Sequence, residues 1–151
     1  MSMPAGERLG FDIKRVEQEL MAARNEAVRT ARLTVPQYAA LFALADNPGI
    51  SSAALGRACM VTPQAMTVVI RNLEGRGLVR RTRHRWHRNV LQTHLTDAGR
   101  AALRVADERA VAIERRIFDE FTPEERQTLR ALLARCSKAI KARGGSPAAP
   151  W

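Results

Sequence analysis

The apolar residues Ile13, Val16, Leu20, Ala23 and Ala27 recur at steps of three and four, which predicts a long helix with one apolar stripe from about Glu7 to Arg32. A second helix is predicted from Leu33-Thr34-Val35-Pro36, with Thr34 as N-cap and Pro36 in the first turn, and it continues through Tyr38, Leu41, Phe42 and Leu44. Asp46-Asn47-Pro48-Gly49 stops it, because proline disfavours helix in the residue before it and glycine supplies turn geometry. Ser52 through Ala58 reads as a short serine-capped helix, Cys59-Met60-Val61 as a turn, and Thr62-Pro63 as the start of a helix that reaches Arg76 and ends at Gly77. Two short helices across a tight turn are a helix-turn-helix candidate.

From Leu78 the period changes from that of a helix to two. Val79, Arg81 and Arg83 alternate with Leu78, Arg80 and Thr82, and Val90, Gln92 and His94 alternate with Leu91, Thr93 and Leu95, as in a hairpin with a basic tip. Thr96 then caps a long helix through Ala98, Ala101, Val105, Ile113 and Ile117. Thr122-Pro123-Glu124-Glu125 opens the last helix, striped by Leu129, Leu132, Leu133, Cys136 and Ile140. The expected fold is mainly α: a winged helix-turn-helix with a two-stranded β wing and long N- and C-terminal helices. One folded unit is expected over 7–143, with a flexible start over 1–6 and a disordered Gly/Ser/Pro/Ala tail over 144–151 whose Trp151 packs on nothing.

Charge adds a partner. The formal net charge is +10, which attracts polyanions. Its position decides between a DNA reader and a merely arginine-rich composition. Between Arg71 and Arg100 lie eight arginines, all three histidines and only two carboxylates, Glu74 and Asp97. A basic stripe concentrated in one stretch is the electrostatic footprint of a protein that binds double-stranded DNA.

On the Thr62–Arg76 helix, Ala65, Met66, Val69, Ile70 and Leu73 share one arc and are expected in the core, leaving Gln64, Thr67, Val68 and Arg71 on the other. Gln can pair with adenine and Arg with guanine through two hydrogen bonds each, and Thr and Val methyls can touch the thymine methyl. Ser51, Ser52, Thr62 and Pro63, at the two helix starts, complete the expected contact set, because free N–H groups there suit phosphate. Arg81, Arg83, Arg85 and Arg88 on the hairpin are expected to enter the adjacent minor groove or clamp its phosphates. An ordinary solvated helix face could carry Gln, Thr and Arg too; the hairpin, which contains no carboxylate, favours the DNA reading.

Other chemistry finds less support. No nucleophile with a base, phosphate-cradling glycine loop or metal cluster suggests an enzyme, and no cofactor is expected. Cys59 and Cys136 have neither disulfide nor metal-ligand spacing and read as reduced, buried small hydrophobes. Strand alternation places His84 and His87 on opposite faces, against a metal site, and near phosphates, where the protonated ring would bind more tightly. Neither a membrane-length apolar run nor a signal peptide is apparent, so a cytoplasmic, nucleoid-associated location is expected. Two rivals keep the fold and change the role: a non-specific architectural DNA binder, and a winged-helix module that binds another protein.

The order of elements, the segment from Thr62-Pro63-Gln64 to Asn72-Leu73-Glu74-Gly75-Arg76-Gly77-Leu78-Val79-Arg80-Arg81, and Leu95-Thr96-Asp97-Ala98-Gly99-Arg100 resemble the MarR family of bacterial regulators from about Glu7 to Lys141. The resemblance implies a homodimer whose terminal helices, 7–32 and 97–143, intertwine, with 33–96 as the DNA-binding lobe. It further implies a pseudo-palindromic operator with half-sites about one helical turn apart, and repression as the output. Arg88 stands at the family's wing arginine. The aspartate that usually precedes and holds it is replaced here by His87, so stronger salt-dependent and less selective wing binding is expected. Family members often respond to small aromatic or anionic effectors in a cleft between the lobes. Tyr38 and Phe42, with Arg24 as anion partner, could line such a cleft, though helical spacing favours core packing for the two rings.

Overall fold

The computed structural model describes residues 3–142; the tail expected to be disordered lies outside them. After a single 3-10 turn at Ala5–Glu7 come α1 (Leu9–Arg29), α2 (Val35–Asp46), α3 (Ser52–Ala58), α4 (Pro63–Gly75), β1 (Val79–Arg83), β2 (Leu91–Leu95), α5 (Asp97–Glu120) and α6 (Pro123–Ala142). The expected elements all form. The chain divides after Ile113 into two compact units. The first holds everything from α1 to most of α5, and the second holds the last turns of α5 together with α6.

Hydroxyl caps account for where most helices begin. Thr34 accepts from the Gln37 N–H while the Gln37 amide oxygen accepts from the Thr34 N–H, a reciprocal capping box. Thr62 accepts from Ala65 N–H, and Thr122 forms a second box with Glu125. The serine that caps α3 is Ser51: it has extended backbone and its Oγ accepts from Ala54 N–H, with Ser52 the first residue of the helix. Helix α1 stops three residues short of Arg32, where a left-handed residue (φ 54°) lets Leu33 N–H reach back to the Val28 carbonyl.

The first unit is built around Val28, Leu41, Leu44, Leu55, Met66, Ile70, Leu73, Val79 and Leu95, all buried. Strands β1 and β2 are antiparallel, Val79 opposite Leu95 and Arg83 opposite Leu91. The segment before α3 adds a short third edge: Ser51 bridges Gln92, and Gly49 N–H donates to the Thr93 carbonyl. Thr93 is wholly buried there, and its hydroxyl has no hydrogen-bond partner among the described residues. An unsatisfied buried hydroxyl costs stability, so Thr93→Val is expected to be neutral or stabilising by about 1 kcal/mol in urea denaturation. A loss of that size would mean that the hydroxyl is satisfied.

The start of α5 is docked on the end of α4. Thr96 N–H donates to the Leu78 carbonyl, Thr96 Oγ1 donates to the Gly77 carbonyl at 2.6 Å, and the same oxygen accepts from Gly99 N–H. Gly77 supplies the left-handed turn (φ 71°) that aims those carbonyls. A Cβ on Gly99 would lie 2.0 Å from the Leu78 oxygen, so only glycine fits.

The terminal helices keep their apolar stripes bare. On α1, Leu9, Phe11, Ile13 and Val16 are exposed; on α6, Leu129, Leu132, Leu133 and Ile140 are exposed. No single helix among the described residues is long and apolar enough to cross a membrane.

Candidate nucleic-acid interface

Helices α3 and α4 meet at a bend of 108° across Cys59-Met60-Val61. Met60 takes the left-handed conformation (φ 55°), and Val61 N–H donates to the Gly56 carbonyl, closing the turn. Burial pushes the Cys59 thiol up, which keeps it protonated and a poor nucleophile beside this turn.

Met66, Ile70 and Leu73 anchor α4 in the core, with Val69 half-buried, whereas Ala65, expected in the core, is exposed. Ala65 lies at the edge of the arc, one step beyond half-buried Val69. The opposite face presents Gln64, Thr67, Val68 and Arg71, all exposed, with Val68 at 64%. The side chains of Gln64 and Arg71 make no hydrogen bond or ion pair among the described residues. Thr67 Oγ1 donates to the Pro63 carbonyl, which leaves an acceptor lone pair and the methyl group for a partner. At the other end, the Gln37 amide donates to Asn72 Oδ1 at 2.8 Å, tying α4 to the capping box of α2.

The hairpin follows directly. Arg83, Arg85 and Arg88 are exposed, and Arg88 has no carboxylate partner among the described residues. Arg81 departs from the expected cationic set. It lies two residues from buried Val79 on the inward side of β1, and both its Nε and Nη2 donate to Glu74 Oε2 at the end of α4. The hairpin is therefore clipped to the helix by a charge-assisted pair, and Arg81 has its fork occupied.

The tip also corrects the reading of the histidines. Past Arg83 the chain turns instead of continuing as strand, so His84 and His87 lie on the same side with ring centroids 5.2 Å apart. His84 Nδ1 accepts from the N–H groups of both Trp86 and His87 at 3.1 Å. No group of three or more metal-ligating side chains occurs among the described residues.

Of the expected effector residues, Tyr38 donates its hydroxyl to Asp107 Oδ1 at 2.7 Å and packs 6.1 Å from Phe42, while Arg24 on α1 is half-buried. Phe42 is exposed and lines a cavity of about 420 Å³ with Leu95, Leu103, Asp46, Asp107, Arg100 and Arg104. The arginines of this cavity stand four apart on α5 and were missed in the sequence. The signal was their helical spacing opposite Phe42, visible only once α5 is known to pack on α2.

A helix with a bare polar face beyond a tight interhelical turn, followed by a basic hairpin clipped to its end, defines a winged helix-turn-helix of the DNA-reading class. A sequence model of the MarR family matches residues 33–88. The chain is 36% identical over 125 residues to the HTH-type transcriptional repressor Rv2887 of Mycobacterium tuberculosis, covering 82% of this chain and 90% of that protein. Its fold matches the transcriptional repressor CouR bound to a 23-mer DNA duplex (TM-score 0.78, 28% identity, 91% of this chain and 99% of that one). It also matches the MarR family protein Rv2887 in complex with p-aminosalicylic acid (TM-score 0.64, 32% identity, 85% and 98%). The protein belongs to the MarR family of transcriptional regulators.

Proposed function

We propose that the protein is a ligand-responsive repressor that binds a pseudo-palindromic operator as a homodimer, acting on the nucleoid in the cytoplasm. The carrying observation is the α4 face: Gln64, Thr67, Val68 and Arg71 are exposed, Gln64 and Arg71 are unpaired among the described residues, and the opposite face is locked into the core. Gln64 and Arg71 read base edges in the major groove, Thr67 and Val68 meet thymine methyls, and Arg83, Arg85 and Arg88 take the adjacent minor groove and its phosphates. Ser51, Ser52, Thr62 and Pro63, at the starts of α3 and α4, lie along the DNA backbone. Arg81 serves this surface by holding the wing to α4. The bare stripes of α1 and α6 support the dimer, since apolar surface of this kind on a soluble chain marks an interface.

The cavity beside Phe42 supports a small aromatic acid as effector, its ring against Phe42 and Leu103 and its carboxylate on Arg100 or Arg104. A relative's complex with p-aminosalicylic acid agrees in chemical class. Release of a bound duplex by such acids, blunted in Arg104→Ala, is the measurement for this part.

Selection of bound duplexes from a random pool at two salt concentrations tests the whole reading. Enrichment of an inverted repeat with half-sites about one helical turn apart is expected. Binding with no enriched motif would mean an architectural protein, and no binding at either salt a module for another protein. On the selected site, Arg71→Ala should cost about 1–3 kcal/mol and relax selectivity at one base pair. Arg88→Ala should weaken all sequences alike and lower the salt slope by about one.

A further inference from the structure

Trp86 stands at the apex of the wing with 78% of its surface exposed. Tryptophan is highly buried on average, and this one is not displayed by a loose loop. His84 N–H donates to the Val90 carbonyl and Val90 N–H to the His87 carbonyl, both at 2.8 Å, and Trp86 N–H is held by His84 Nδ1. The Arg85 guanidinium lies 5.6 Å from the centre of the indole ring, so cation and ring form one unit. Around them are Arg83, Arg88, His84 and His87, with no carboxylate anywhere from Val79 to Leu95 except Glu74's reach from α4 to Arg81.

A surface that is strongly cationic with a single large apolar ring at its centre matches a polyanion whose own surface alternates charge with apolar faces. Duplex DNA offers this in its minor groove, about 6 Å wide, where the walls are deoxyribose faces and the rims are phosphates. A protein partner would need a continuous apolar patch, and at this tip the cations surround the ring. We propose that Trp86 is a DNA-contacting residue whose indole seats edge-on against the sugar walls of the minor groove while Arg85 carries the neighbouring phosphate. The proposal rests on the DNA-binding reading given above and adds to it a non-ionic anchor in the wing. Held over a ring, Arg85 is pointed at the backbone before binding, which offsets part of the freedom lost with Arg88 unbraced by an aspartate.

The chain has two tryptophans, so Trp151→Phe leaves Trp86 as the sole indole reporter. With a labelled duplex of about three helical turns carrying the selected motif, or of mixed sequence at low salt, anisotropy reports binding and acrylamide quenching reports the indole. Quenching is expected to fall severalfold on saturation, with the same midpoint as the anisotropy change. Trp86→Ala should weaken binding roughly tenfold with the salt slope unchanged, and Trp86→Phe should recover part of the loss. Duplex binding with Trp86 as accessible as before overturns this proposal alone. No duplex binding at any salt overturns the DNA-binding reading and this proposal with it.

Discussion

Replacing Gly99 by alanine is expected to cost about 3 kcal/mol or more, and with it roughly 10 °C of thermal stability. The added methyl would meet the Leu78 carbonyl at 2.0 Å, and a carbonyl held by Thr96 N–H cannot swing aside as a flexible side chain would. Relief requires the first turn of α5 to lift, which breaks the Thr96–Gly77 bond and exposes Leu95 and Leu78. Gly75→Ala is the control, because nothing lies within 4 Å of its Cβ and its backbone is helical. That variant should gain about 0.4–1 kcal/mol by restricting the unfolded chain. Urea melts of the two proteins give the comparison; equal stabilities would show that α5 does not dock on the Gly77-Leu78 backbone. The same geometry explains why the glycine-x-glycine-leucine-valine and leucine-threonine-x-x-glycine segments occur together: they are the two halves of one joint.

The second large effect concerns assembly. Leu132 and Ile140 on α6 are 47% and 74% exposed in the chain, so charging both should leave its secondary structure intact. In a dimer packed through this stripe, Leu132→Glu with Ile140→Glu buries carboxylates without partners. We expect dimer dissociation to rise about a thousandfold or more, read by sedimentation equilibrium. DNA affinity should fall by about two to four orders of magnitude, because each half-site then binds without the effective concentration that linkage supplies. An unchanged dimer would place the interface elsewhere, and a monomer with unchanged DNA affinity would mean that operator recognition does not need two copies.

Much of this architecture is legible in the residues because it is set locally. Thr34, Thr62 and Thr96 cap helices by bonds that span three residues, Gly77 marks a left-handed turn, and the change from helical to alternating period announces the wing. The exposed face of α4 follows from helical geometry once its core arc is known. What could not be read depends on contacts between elements. The Arg81–Glu74 pair exists because β1 folds back beside the end of α4, and strand alternation alone assigns Arg81 no partner. His84 and His87 face each other because the strand geometry ends at Arg83 and the chain turns there. Arg100 and Arg104 acquire an aromatic neighbour only through the packing of α2 against α5 and β2. Trp86 carries no pattern at all, since a single aromatic in a basic loop has no period.

The ladder of the wing ends in the bond from His84 to Val90, and the Arg81–Glu74 clip secures its base to α4. Residues 85–89 thus lie beyond the last rung of the ladder. Their replacement by another five-residue loop is expected to leave strand register, helix docking and the exposed face of α4 as they are. On the proposed reading, with the wing in the minor groove and α4 in the major groove, the two preferences are expected to change by separate mutations, natural or engineered, so that new operators are reached in two steps, each testable on an intact fold.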